Sequence, residues 1–289
     1  LLFIFAKNIF ANDLPDLGDS SQATISPYQE RQIGLRIMSQ IRADSRYLDD
    51  SEIAGYLTNL GYKLISSSNE AHPDQAFEFF AIRDPSINAF ALPGGFMGFN
   101  SGLMLASQSE SELAGVMAHE ISHVTQKHLA RMISGQKYTL LTTLASIALA
   151  LLASRASSQA GTAIMATSQA ITAQSQLNFT RANEKEADRI GLSVLVRAGF
   201  NPGGMAAFFA RLQKAGRFQG NGAPSYLRTH PLTYERIADM ENRTQELPYK
   251  QVPDSIDYQL VRSKLRASEG KPGEAVKYFE SNLKERRYS

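Results

Sequence analysis

The chain has 289 residues, which suits one large domain or two of about 150 residues each, and its 43% hydrophobic content is enough for a sizeable core. A mean hydropathy of −0.25 argues against a polytopic membrane protein, and 30 basic against 28 acidic residues leave a net charge of +2, with no electrostatic footprint for nucleic acid. Zero cysteines exclude a disulfide scaffold, a thiol nucleophile, a zinc finger and a cysteine-held cluster, so any metal must be held by His, Asp or Glu.

In chain order, Leu1–Ala6 is an apolar run. Ile9-Phe10-Ala11, ahead of the polar stretch Asn12–Ser21, reads over 1–11 as the remnant of a secretory leader cut before Asn12, so export is expected. Ser26-Pro27 with Gln29 forms a capping box that starts a helix over 27–43. A second helix is expected over 50–66, with Ile53, Leu57, Leu60 and Leu64 as its apolar stripe. Phe77–Ile82 reads as a strand, and two further extended pieces flank the turn Pro93-Gly94-Gly95. Ser109 with Glu112 opens a helix over 110–133, and helices then dominate to 246, with Asn201-Pro202 and Thr233 as starts.

Between Lys137 and Arg181 the one charged side chain is Arg155. Tyr138–Ser154 is uncharged yet short of the ~20 residues of a spanning helix, so it reads either as a buried core helix or as a segment making peripheral membrane contact over 138–154. Glu246–Ser255, with Pro248 and Pro253, is a linker, followed by helical patterns over 255–268 and 273–285. The Gly270…Ala275…Phe279 spacing matches part of a tetratricopeptide unit, but a single unit cannot bury its own face, and a helical hairpin packed on the main domain fits as well. The expected fold is α+β: a mostly helical domain over 12–246 with a small antiparallel sheet among the helices, then a short helical hairpin over 255–289.

Positions 119–123 read His-Glu-Ile-Ser-His, inside the helix that starts at Ser109. At about 100° per residue, His119 and His123 lie about 40° apart on one helix face, so both imidazoles reach one ion. Glu120 stands about 100° round from His119, close enough to take a proton from a water on that ion without becoming a ligand. Val116, Met117, Ala118, Ile121 and Val124 supply an apolar setting. A catalytic zinc takes three protein ligands and keeps a position open, so one ligand remains to be found.

The five histidines are at 72, 119, 123, 128 and 230. The metzincin arrangement needs glycine at 126 and histidine at 129, where this chain has Gln126 and Leu129. His128 is expected to point to the far side of the helix, at the surface. The better candidate is a carboxylate on a later helix, in Asn183-Glu184-Lys185-Glu186-Ala187-Asp188. Glu184 and Asp188 stand at i and i+4, so Glu184 can bind the metal while Asp188 orients a ligand histidine from behind. Glu186 suits a solvated acidic face.

These residues resemble the zinc metallopeptidases that include the CAAX prenyl endopeptidase and HtpX. The resemblance rests on His119-Glu120-x-x-His123, Glu184-x-x-x-Asp188, Asn88-Ala89-Phe90-Ala91-Leu92-Pro93-Gly94-Gly95 with Gly102-Leu103, and Thr229-His230-Pro231 followed by Arg236; it covers about residues 25–245. It implies a zincin-type domain holding one Zn2+ per chain on His119, His123 and Glu184. A peptide is expected to add as a strand beside Phe96, Met97, Gly98, Phe99 and Asn100, through backbone hydrogen bonds largely blind to sequence. His230 and Arg236 are expected to stabilise the anionic tetrahedral intermediate; alternatively, His230 fills the open zinc position and holds the enzyme inactive.

Together with export, the resemblance implies a periplasmic endopeptidase. Its substrates are expected to be misfolded, stalled or misassembled outer-membrane proteins, with the outer-membrane assembly machinery as a partner. A long C-terminal repeat array is expected of such a protein, and at most one unit is visible in this sequence. The spacing of Gly98-Phe-Asn-Ser101-Gly102 is wrong for a nucleophile elbow and argues against a serine hydrolase. Two rivals remain: a chaperone-like binding module with a silent or latched metal site, and an integral-membrane relative.

Overall fold

The computed structural model describes residues 26–72, 74–134, 181–218, 224–248 and 250–285. The expected leader remnant at 1–11 and the segment 138–154 lie outside the described residues. Two helices precede the sheet. In α1 (Pro27–Arg42) the capping box forms as expected: Ser26 Oγ accepts from the Gln29 amide at 3.2 Å, and Gln29 Oε1 accepts from the Ser26 amide at 3.0 Å. Such a cap contributes about 1 kcal/mol. α2 (Ser51–Ile65) starts on the Asp50 side chain and buries Ile53, Leu57, Leu60 and Leu64.

The strands are β1 (Glu78–Ile82), β2 (Ala89–Leu92) and β3 (Phe96–Asn100), in the order β1-β3-β2. β2 and β3 form the expected antiparallel hairpin, with Ala89 opposite Phe99 and Leu92 opposite Phe96. Its turn needs left-handed backbone at Gly94 and Gly95, with φ of 78° and 79°. A Cβ on Gly95 would also stand 1.9 Å from the Ala76 carbonyl oxygen, so glycine is required twice over. The other pairing differs from expectation. β1 lies parallel to β3, from Glu78 opposite Phe96 to Ile82 opposite Asn100, so the sheet is mixed rather than antiparallel. β2 runs back along the outer edge and β3 then slots between the first two strands, in the direction of β1. As a result β3 is central and buried at every position. The expectation that Phe96–Asn100 is a free edge is thereby corrected.

α3 (Ser101–Ala106) leads into α4 (Glu110–Thr125), in which every residue except Val124 is buried. The expected single helix over 110–133 is broken. Gln126 ends α4, Lys127 adopts φ 52°, and α5 (His128–Ser134) starts in a new direction. A non-glycine residue in the left-handed region costs roughly 1–2 kcal/mol. Nothing in the residue types 126–128 announces the bend, since glycine is the usual signal.

α6 (Arg181–Arg197), α7 (Gly203–Phe218) and the short α8 (Tyr226–Thr229) follow, then α9 (Tyr234–Gln245) with Thr233 as its cap. α4 is surrounded by α2, α6, α7 and β2. α6 packs tightly on α4 at Gly191, where a Cβ would sit 3.1 Å from the His119 amide nitrogen. α10 (Ile256–Ser268) and α11 (Pro272–Lys284) form the C-terminal hairpin. α10 sinks Tyr258, Val261 and Leu265 into the same core as α4, and the Tyr258 hydroxyl donates to the Ser107 carbonyl at 3.0 Å. Burying such side chains is worth about 2 kcal/mol each. α11 buries Ala275 alone. Among the described residues no helix is long and apolar enough to cross a membrane.

Candidate metal centre

His119 and His123 project from one face of α4, Glu184 from the first turn of α6, and His230 from the residue that ends α8. All four side chains are buried, and one donor atom from each lies within 4.8 Å of the others. His119 Nε2 is 3.0 Å from His123 Nε2, 3.4 Å from His230 Nδ1 and 3.5 Å from Glu184 Oε2. Glu184 Oε1 is 3.4 Å from His123 Nε2 and 3.0 Å from His230 Nδ1. Four ligands at about 2.1 Å in a tetrahedron stand about 3.4 Å apart, so the cage has the dimensions of a structural or closed zinc-type site.

Charge supports the same fit. Glu120, Glu184 and Asp188 are three buried carboxylates, and among the described residues Arg236 is the one fully buried guanidinium beside them. With the imidazoles in the neutral form that a metal requires, this leaves an excess of negative charge in a dry site, which a divalent cation neutralises; without a metal, a proton on His119 takes up part of it. Burial would raise the Glu184 carboxyl, but the charge of His230 and hydrogen bonds from His119 and His123 hold it well below the usual range. Burial, reinforced by the charges of His119 and His230, keeps His123 neutral.

The residues behind the cage depart in part from expectation. Asp188 lies where i+4 spacing puts it, with Oδ1 3.0 Å from His119 Nδ1. Burial opposes its ionisation, but the Arg236 guanidinium and His119 hold its carboxyl below the usual value. Arg236 donates from Nε and Nη2 to Asp188 at 2.7 and 2.8 Å, and from Nη1 to the Pro231 carbonyl at 2.8 Å; Nη1 also lies 2.6 Å from Glu184 Oε2. The guanidinium thus braces the two carboxylates from behind, and its expected place at an oxyanion does not match this orientation. His128, expected at the surface, is fully buried with Nδ1 2.9 Å from His123 Nδ1. Its Nε2 lies 3.1 Å from Glu186 Oε2, so Glu186 is not simply a solvated charge. The i, i+9 spacing from His119 misleads here because the Lys127 bend turns His128 back under His123.

On the open side, Glu120 is buried and its Oε1 has no hydrogen-bond partner among the described residues; His230 Nε2 stands 3.4 Å from it. Tyr226, to which the sequence assigns no role, stacks on His230 with ring centroids 4.6 Å apart, and its hydroxyl is buried without a hydrogen-bond partner among the described residues. A single aromatic four residues before His230 carries no sequence signal of such a role. A cavity of ≈ 610 Å³ runs from His123 and Val124 past Ala91 and Leu92 of β2 to Arg31 and Gly94. Among the described residues β2 pairs with β3 alone, so its outer edge faces this cavity with unpaired backbone groups. The Phe96–Asn100 strand lies one strand further in.

A mostly helical α+β domain that carries HExxH on a buried helix, with a glutamate supplied by a later helix, defines a metallopeptidase. The profile of peptidase family M48 matches residues 52–244, and the chain belongs to that family. It is 40% identical over 254 residues to the beta-barrel assembly-enhancing protease of Escherichia coli K12, covering 88% of this chain and 52% of that protein. A Vibrio cholerae counterpart is 42% identical over 255 residues, again 88% and 52%. The mitochondrial metalloendopeptidase OMA1 of Schizosaccharomyces pombe is 30% identical over 196 residues, covering 68% of this chain and 54% of that protein. The chain therefore spans about half the length of the curated relatives it matches.

Proposed function

We propose that this chain is a zinc-dependent metalloendopeptidase of the periplasm that cleaves misfolded or stalled outer-membrane proteins. The observation that carries the reading is the convergence of His119, His123 and Glu184 on one point with Glu120 beside it. The names of the bacterial relatives, beta-barrel assembly-enhancing proteases, support a substrate or partner in beta-barrel assembly. Zinc is the metal of choice because two imidazoles and one carboxylate at tetrahedral spacing suit it. When bound, it supplies Lewis acidity, polarising the scissile carbonyl and lowering the pKa of a water toward ~7.

The chain's own residues do the rest. Glu120 Oε1 takes a proton from the attacking water and returns it to the leaving amine. Asp188 fixes the His119 ring through Nδ1, and Arg236 holds both Asp188 and Glu184 in register. The peptide lies along the outer edge of β2, where unpaired backbone groups accept a strand of almost any sequence. His230 stands in the fourth position of the cage and beside Glu120, so this arrangement is a closed one, and the loop that carries it must withdraw before a peptide enters. A histidine before proline is held off helical backbone, and His230, with φ −122° and ψ 78°, ends α8 rather than continuing it.

Metal analysis of the purified chain, with a casein-type assay with and without chelator, tests this reading. About one zinc per chain and chelator-sensitive cleavage are expected. Stoichiometric zinc without any hydrolysis, in a protein that still holds unfolded clients, would favour a binding module instead.

A further inference from the structure

We propose that His128 and Glu186 form a relay that fixes the tautomer and orientation of the metal ligand His123, with Lys127 as the bend that makes it reachable. This rests on the metal reading above and concerns the ligand on which the expected Asp188 brace does not act. His123 Nδ1 and His128 Nδ1 are 2.9 Å apart, and His128 Nε2 and Glu186 Oε2 are 3.1 Å apart. Arg131 Nη2 donates to the same Glu186 oxygen at 2.9 Å.

The proton positions follow by elimination. A carboxylate only accepts, so His128 Nε2 carries the hydrogen it donates to Glu186. In the metal-loaded centre His123 binds through Nε2 and carries its hydrogen on Nδ1, so His128 Nδ1 is the bare acceptor that meets it. Two bare nitrogens do not hold each other at 2.9 Å, so His123 Nδ1 is the donor. Its Nε2 is left as a lone pair facing the point it shares with His119 Nε2 and Glu184 Oε1, 3.0 and 3.4 Å away, where a metal would sit between them.

The arrangement mirrors the one at His119, whose Nδ1 faces Asp188 two residues further along α6 than Glu186. Each ligand histidine of α4 is therefore held from behind by a carboxylate of α6, one directly and one through an intervening imidazole. The left-handed Lys127, with φ 52°, is the cost of the second brace: it folds α5 back so that His128 sits beneath His123 with ring centroids 4.8 Å apart.

Zinc affinity of the full chain, measured by competition with a chromogenic chelator, tests the relay. His128→Ala should weaken zinc by about 10–100-fold. His128→Asn places an amide oxygen where Nδ1 accepted, and should recover most of that loss. Glu186→Gln should lose several-fold. In the wild type, 15N shifts of zinc-loaded His123 should report a protonated Nδ1, and His128→Ala should lose that uniform signature. Wild-type affinity in His128→Ala, a His123 protonated at Nε2, or no rescue by asparagine overturns the proposal. If His128→Ala does not fold, Glu186→Ala at its half-exposed position carries the affinity test, and an unchanged value there overturns it. A wild type that binds no zinc overturns the metal reading instead, so the two failures are distinct.

Discussion

His230 touches both halves of the catalytic apparatus at once: its Nδ1 lies 3.0 Å from Glu184 Oε1, and its Nε2 lies 3.4 Å from Glu120 Oε1. A ligand group that also contacts the general-base candidate blocks the metal and the base together. Replacement by alanine opens both. His230→Ala should therefore raise basal proteolysis of an unfolded substrate, including self-cleavage, with modest change in zinc content. A strong fall in kcat with zinc unchanged would assign His230 to the transition state instead.

Glu120→Gln keeps the size of the side chain and removes its basicity. Because Glu120 is not among the cage ligands, zinc binding and capture of unfolded clients should persist while hydrolysis falls by about 10²–10⁴-fold. Hydrolysis at the wild-type rate would remove Glu120 from the proton path.

Glu184→Gln should weaken zinc far more than Glu186→Gln, by 100-fold or more against several-fold. Glu184 faces both ligand histidines of α4 at 3.4–3.5 Å, whereas Glu186 is reached only through His128. The two affinities, measured side by side, check the register of α6; the reverse order would mean the helix is misplaced by half a turn.

Acid and base act oppositely on the metal-free and metal-loaded protein. Burial opposes protonation of His119, but hydrogen bonds and charge from Asp188 and Glu184 outweigh it and push the group up to about 9. The resulting stability of the metal-free fold is fully present below about 6.5, the ordinary histidine value, and is lost as pH rises through about 9. Zinc must displace that proton, so its affinity should climb about tenfold per pH unit over the same window. Denaturant midpoints and chelator competition at pH 6.5, 7.5 and 8.5 check both slopes.

Gly95→Ala combines an unfavourable positive φ with a Cβ 1.9 Å from the Ala76 carbonyl. The expected loss is about 2–5 kcal/mol, read from a urea midpoint. Because Gly95 sets the β2–β3 hairpin, kcat/KM should fall as the outer edge of β2 shifts. A variant as stable as the wild type would show that the turn can be rebuilt without glycine.

How much of this was legible in the chain divides along the range of the forces involved. Helix starts at Ser26, Asp50, Ser109 and Thr233, the apolar stripe of α2, the HExxH face of α4 and the Glu184/Asp188 pair of α6 are each encoded within a few residues, where capping groups and a 3.6-residue period act locally. The mixed sheet was not, because the pairing of β1 with β3 depends on where a third strand is inserted. Nor was the inward turn of Arg236, drawn to Asp188 and Glu184 by buried charge that exists only once α6 and α9 meet. His128 shows the division most plainly. By sequence spacing it lies on the far side of a continuous helix, and only the left-handed Lys127, a conformation no residue type there calls for, carries it beneath His123. The sequence alone determined which chemistry the site can hold; packing between distant elements decided which groups support it and which edge a substrate meets.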